Sequence, residues 1–244
     1  MLNLIVAEHL KHKRTFVRKN VIIGPLLVMI LAFSMTIRYI EGFTAGTWNW
    51  WYTLFLPGVM AINCFLVIDR DKKKKYHHIF VLNILPEKMW LGKILLCSIY
   101  LLISNLVVAI GVSICGKLLG INVHVSTNVL AAVVLTVTFM WEVPLLMFLD
   151  AKFGMLLGVF TGIFMTLAAV ITVAPSKIWW VFAPAIPVRM MCPILGIMPN
   201  GLPVPTDSTL RSGRVLLPGI VISMILFILL SSMTARWFGR REEK

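Results

Sequence analysis

The chain has 244 residues, 59% of them hydrophobic and 14% charged, with 23 Lys and Arg against 10 Asp and Glu. A soluble domain carries about 25% charged residues, so a single water-soluble core is excluded and the mean hydropathy of +0.91 points to the bilayer as solvent. The net charge of +13 reads as a topology signal, and a nucleic-acid partner is a poor inference from it.

At 100° per residue Leu2, Val6, Leu10 and Val17 fall on one narrow face of residues 1–20, with Glu8, Lys11, Thr15, Arg18 and Lys19 opposite. Glu8 stands three residues from Lys11 and four from His12. The pattern predicts an amphipathic helix in the membrane interface; the competing reading is an ordinary basic flank. Basic residues precede an apolar run that lacks a small-residue cleavage site, so no cleaved signal is expected.

Six apolar segments follow, at about 21–37, 51–68, 94–115, 129–149, 154–174 and 215–235. A membrane-spanning helix needs roughly 20 such residues; the first is short if Arg38 closes it. With the N-terminus inside, 17 of the 23 Lys and Arg fall on inner segments, as the positive-inside rule requires. Both termini are then cytoplasmic.

Between the second and third segments lies DRDKKKKYHHIF (69–80). The lysines are explained by topology alone, or by a more specific role. YHHIFVLNIL (76–85) is too short to span and too apolar to float free, and Pro86 ends it. It needs cover from lipid headgroups or from a protein partner.

Loops 38–50 and 116–128 are short. Glu142 is the one acid within a span, at a cost of about 2.5–3.5 kcal/mol near the bilayer centre, so it is expected to face protein or a water-filled cavity. Pro144 removes the helix bond to the Met140 carbonyl and favours a bend. A structural hydrogen bond and a role in gating or substrate passage both remain open for Glu142. Gly154, Gly158 and Gly162 form a tandem GxxxG ridge for close helix approach, within the chain or between chains.

The outer segment 175–214 holds seven of the twelve prolines. Irregular backbone cannot face lipid tails, so the apolar stretch 178–198 is expected to form short interfacial or re-entrant helices. Trp179 and Trp180 suit the headgroup level, and PNGLP (199–203) reads as an exposed turn.

Catalytic signatures are nearly absent. GVSICGKL (111–118) matches GxxxxGK, but Leu118 stands where a nucleotide loop needs Ser or Thr, and no strand precedes it. No His or Cys spacing suits a metal. Only Cys115 and Cys192 of the four cysteines share the outer side; free thiols are expected.

Taken together, "EHLKHKRTF" (8–16), "LPEKMWLGKI" (85–94), "VPLLMFLDAKFG" (143–154) and "WWVFAPAIPVRMMCPILGIMPNGL" (179–202) resemble the membrane subunits of type-2 ABC exporters, and more closely the permeases of lantibiotic-immunity transporters. The resemblance covers nearly the whole chain and implies a single all-α polytopic domain. Its parts would be six transmembrane helices, an N-terminal interfacial helix, a cytoplasmic coupling helix and re-entrant outer helices before the last span.

It also implies a second permease, as a heterodimer, and two copies of a separate ATP-binding subunit that carries ATP and magnesium; this chain would hold no cofactor and no catalytic residue. Tyr76, His77, His78, Ile79 and Phe80 would dock on the ATP-binding subunit. Glu142, Trp179, Trp180 and Arg189 are candidates for gating or for the exit of a lantibiotic peptide, against the alternative that the outer residues merely cap the bundle. The competing functions are a type-2 permease for another peptide, drug or lipid, and an intramembrane enzyme. The enzyme lacks paired acids and metal-binding histidines in this reading, and a secondary transporter lacks an inverted repeat.

Overall fold

The computed structural model describes residues 1–37, 39–73 and 85–240. Its elements are α1 (Leu2–Lys11), α2 (Phe16–Thr36), α3 (Phe43–Trp50), α4 (Leu56–Lys73), α5 (Pro86–Leu118), α6 (Val125–Phe139), α7 (Glu142–Phe153), α8 (Met155–Ala168), α9 (Ala185–Leu195) and α10 (Leu216–Gly239). One π-helical turn, Trp51–Phe55, joins α3 to α4, and another, Ala169–Val173, extends α8. Strands are absent among the described residues apart from a single bridge between Ile197 and Pro203.

Five stretches are long and apolar enough to cross a bilayer: Phe16–Thr36, Ile40–Lys73, Pro86–Leu118, Met155–Val173 and Gly213–Gly239. α6 and α7 make a sixth if the pair, bent by 50°, counts as one span. This is the architecture of a polytopic membrane protein. Side-chain exposure agrees with it. Leu156, Phe160, Phe164 and Ile171 form an outward apolar stripe along α8 and its π turn, and Leu217, Val221, Ile225 and Ile228 do so on α10. In water these stripes would be unfavourable by about 1.5–3 kcal/mol for each large side chain left unburied; against lipid they cost nothing.

The interior is correspondingly polar in places. The Trp48 indole donates to Asn128 Oδ1 at 2.9 Å, and Asn128 Nδ2 donates to Ser113 Oγ at 2.9 Å. One turn on, the Trp51 indole donates to Asn105 Oδ1 at 2.8 Å, and Asn105 Nδ2 donates to Thr136 Oγ1 at 3.0 Å. These two rungs tie the α3 end of the second span to α5 and α6. Asn20 Nδ2 donates to Asn63 Oδ1 at 2.9 Å and joins α2 to α4. Inside a membrane such pairs are worth about 0.6 kcal/mol on average, up to ~1.7, so they fix register more than they supply stability.

The first span begins at Phe16, five residues before the expected boundary, and is 21 residues long, which removes the shortfall before Arg38. Loop 38–50 is a correction: a short 3-10 turn and α3 fill most of it, with Phe43, Thr47 and Trp48 buried. The Trp48 bond to Asn128 anchors this segment and had no signal in the hydropathy pattern. The bend expected at Pro144 falls at Met140–Trp141, where the Val143 N–H donates to the Met140 carbonyl at 3.2 Å in place of the bond that proline cannot make.

Two ends of the bundle are distinct. α1, the last turn of α4, the start of α5 and the end of α10 meet at one, the α1 end; α3, α9 and the 199–203 turn lie at the other. Single cysteines at Lys73 and Asn200, both exposed, in a background lacking the native four are expected to react with an impermeant maleimide from opposite sides of the membrane. Labelling from one side only contradicts the six-span topology.

Candidate functional site

Three places carry unusual chemistry. The first is at the α1 end. Lys93, near the start of α5, is 1% exposed, and its ammonium donates to Glu8 Oε2 of α1 at 2.7 Å and to Asp71 Oδ2 of α4. Lys11 pairs with Glu8 at 2.6 Å and reaches Asp71 at 4.0 Å. The Arg70 guanidinium donates to the Lys11 carbonyl, where the C-terminal carbonyls of α1 need donors. Among the described residues, two acids thus meet two lysines. His12 is buried beside them, and neither ring nitrogen has a hydrogen-bond partner among the described residues. Burial first, and the Lys93 ammonium second, push its imidazole down to about 4, so the ring is neutral at neutral pH. His9 contacts Tyr100 OH at 3.1 Å and the Arg18 guanidinium, and burial, then Arg18, lower its pKa.

This cluster turns α1 over relative to the simple amphipathic picture. The Glu8–Lys11 pair forms as its spacing predicts, but that polar face is buried in the protein. Leu2, Val6 and Leu10 point away from it, 77, 53 and 58% exposed. Asp71 and Lys93 lie on either side of residues 74–84. The predicted coupling residues Tyr76, His77, His78, Ile79 and Phe80 fall outside the described residues.

The second place is α7. Glu142, its first residue, and Asp150, two turns later, are each 1% exposed, and none of their four carboxyl oxygens has a hydrogen-bond partner among the described residues. Glu142 faces the interior, as the cost of a lipid-facing acid requires. It is enclosed by its own chain, whereas a surface for a second subunit would leave it exposed. Asp150, one residue beyond the expected span, was not singled out by the sequence. Of the GxxxG glycines, Gly158 opens the space for it: a Cβ there would overlap Asp150 Oδ1 and stand 2.8 Å from Cγ. Gly162 lies against the Pro57 carbonyl of α4, 3.4 Å from its own would-be Cβ. Gly154 is the one-residue link between α7 and α8, at φ +95°. The ridge therefore packs within the chain, on α4 and α7.

The third place is the outer segment. α9 is buried over Ala185–Cys192. Arg189, 5% exposed, donates to the carbonyls of Leu210 at 3.0 Å and Thr209 at 3.4 Å, pinning the chain that returns to α10. Trp179 is buried and Trp180 is 54% exposed. The 199–203 turn forms with Gly201 at φ +87°, and Asn49 Nδ2 holds it through the Pro199 carbonyl at 3.1 Å. Beside it, Asn49, Thr53, Val170 and Asn200 line a groove of about 250 Å³ that both π turns border. A second groove, of about 380 Å³, is wholly apolar and lies between α2 and α5, with Met29, Ile30, Phe33 and Cys115 in its walls.

Gly111 to Leu118 lie inside α5, the wrong backbone for a phosphate loop, and the four cysteines are free thiols. No protein-family model, curated protein or solved structure matches the chain.

Proposed function

We propose that this chain is the membrane subunit of an ATP-driven exporter, acting with a second membrane subunit and two copies of a separate ATP-binding subunit, and that its cargo is a lantibiotic peptide expelled from the membrane to the outside. The motif resemblance supports the reading, and one observation carries it. The two helix ends that flank residues 74–84 are locked together, and to α1, by the buried Glu8–Lys93–Asp71 cluster. A push delivered to 74–84 by closing ATP-binding subunits would move α1, α4 and α5 as one body, because separating them strands buried charges. The polar rungs from Trp48 and Trp51 then carry the displacement to α6. Nucleotide and magnesium belong to the partner, and this chain is a non-catalytic subunit.

In this reading α1 lies in the inner interface, its Leu2–Val6–Leu10 stripe in lipid, and the exposed Lys72 and Lys73 face anionic headgroups at about 1 kcal/mol each. Glu142 sits at the bend as a gating residue, and Trp180 stands at the outer surface where an amphipathic peptide would leave. The wholly apolar groove between α2 and α5 favours a second reading, in which the cargo is a lipid or an apolar drug.

The test is co-purification. The chain is expected to retain an ATP-binding subunit, and Ile79→Asp with Phe80→Asp to reduce that retention at least tenfold, equivalent to about 1.4 kcal/mol of binding, with membrane insertion unchanged. Loss of protection against one lantibiotic is expected in parallel. Undiminished co-purification sinks the coupling role; intact coupling without protection favours the second reading.

A further inference from the structure

We propose that Glu142 and Asp150 form a proton-binding site inside the bundle, loaded from the end of α7 that carries the Gly154 link. The two residues are eight apart on one helix, about 12 Å along its axis and within a quarter turn of each other. Both are 1% exposed, and all four oxygens lack a partner among the described residues. Among the described residues no donor of the surrounding helices reaches either carboxyl, although the indole N–H of Trp141, the preceding residue, is itself buried without a partner. α10, which also packs on α7, carries one titratable residue, the exposed Arg236. α8, Met155–Ala168, contains no titratable residue and meets Asp150 with the bare Gly158. α4 brings the Cys64 thiol and the Lys72 ammonium, which acts on Asp150 through space without an ion pair among the described residues. α5 contributes Cys97, beside Cys64. On α7 itself Lys152 lies over the rings of Phe148 and Phe153, at 5.8 and 5.0 Å.

An unaccompanied carboxylate in such a place costs several kcal/mol, so each carboxyl must arrive with a proton or a cation. A metal ion is disfavoured by the two-turn separation and by the lack of a third ligand: no group of three or more His, Cys, Asp and Glu suited to a metal occurs among the described residues. A proton needs neither. Asp150 lies one turn from the exposed Lys152 and Phe153 and is the entry; Glu142 is the deeper position, at the bend. Proton release from Asp150 leaves an anion in the Gly158 notch and drives α7 from α8, so occupancy of the site sets how closely that hairpin packs. The inference rests on the bundle alone and stands whether or not an ATP-binding subunit couples to it.

The probe is dicyclohexylcarbodiimide, an apolar reagent. The O–H of a carboxylic acid adds across its C=N bond, and the acyl group then migrates to nitrogen, so the adduct keeps every atom of both partners. On the purified chain in lipid nanodiscs, peptide mapping is expected to find the adduct on Glu142 and Asp150. Its rate should fall about tenfold for each pH unit above the titration midpoint. Glu142→Gln and Asp150→Asn should each remove one adduct and leave the other. Infrared spectra of the wild type should carry a carboxylic-acid carbonyl band that the double variant lacks. The proposal is overturned if wild type and double variant superimpose in that region at every pH. It is overturned equally if sodium suppresses labelling at constant pH, which would make the site a cation site.

Discussion

Lys93→Met is expected to destabilise the bundle by about 3–5 kcal/mol, the cost of breaking a buried ion pair from one side. The ammonium is 1% exposed and is the common partner of Glu8 and Asp71, themselves buried. Removing it leaves two carboxylates facing each other across a water-poor interface. Lys11 is the only other cation ion-paired with both among the described residues, at 2.6 Å from Glu8 and 4.0 Å from Asp71, and its partial cover places the expected loss toward the lower figure. The variant should show a lowered thermal midpoint in detergent and faster proteolysis between α1 and α2. Neutralising both acids as well, with Glu8→Gln and Asp71→Asn added, should recover part of the loss, since no buried carboxylate then stands unpaired and the remaining Lys11 is partly exposed. A Lys93→Met protein as stable as the wild type would show that the cluster is solvated.

Gly158→Ala is expected to cost about 1–3 kcal/mol through overpacking, because its Cβ would stand 2.8 Å from Asp150 Cγ. Asp150→Ala should relieve it, and the double-mutant cycle should give a coupling of about 0.5–3 kcal/mol, as for residues in contact. Gly162→Ala is the control: its Cβ would meet the Pro57 carbonyl at 3.4 Å, the edge of ordinary contact, and should be tolerated. Unfolding midpoints of the wild type and the four variants decide the matter. Equal losses at Gly158 and Gly162 would show a uniform small-residue ridge with no special place for Asp150.

Those glycines show what a sequence can and cannot reveal. Their spacing announced close helix approach, since only the absence of side chains permits it. It did not reveal that Gly154 is a link with positive φ, that Gly158 admits a carboxylate and that Gly162 admits a carbonyl, because those partners lie on other helices. The same limit applies to charge. The number of spans is a matter of local composition and was legible, as was the bend near Pro144. Nothing in the sequence joined Glu8, Asp71 and Lys93, since 85 and 22 residues separate the two acids from their shared lysine. One cue was present: Lys93 interrupts the apolar run WLGKILLC, where an unpaired ammonium would be costly. Asp150 was missed by one residue of span boundary. The asparagines at 63, 105 and 128 were passed over although each polar amide in an apolar helix asks for a partner. Arg189 was placed near a substrate exit by its neighbours' affinity for the interface; its two carbonyl partners lie 20 and 21 residues further on, beyond any local pattern.

The long reach of Lys93 also sets a timetable for biogenesis. A nascent chain emits Glu8 first and Asp71 next, and the counter-ion they share leaves the ribosome only once α5 is under way. Until then the N-terminal helix has its Leu2–Val6–Leu10 stripe to hold it on the bilayer surface and, among the described contacts of this cluster, only those of Arg70 and Asp71 with Lys11 to hold it on the protein. The early spans must therefore enter the membrane without that clasp. Arrival of Lys93 closes it and fixes, in one step, the positions of three segments made at three different times.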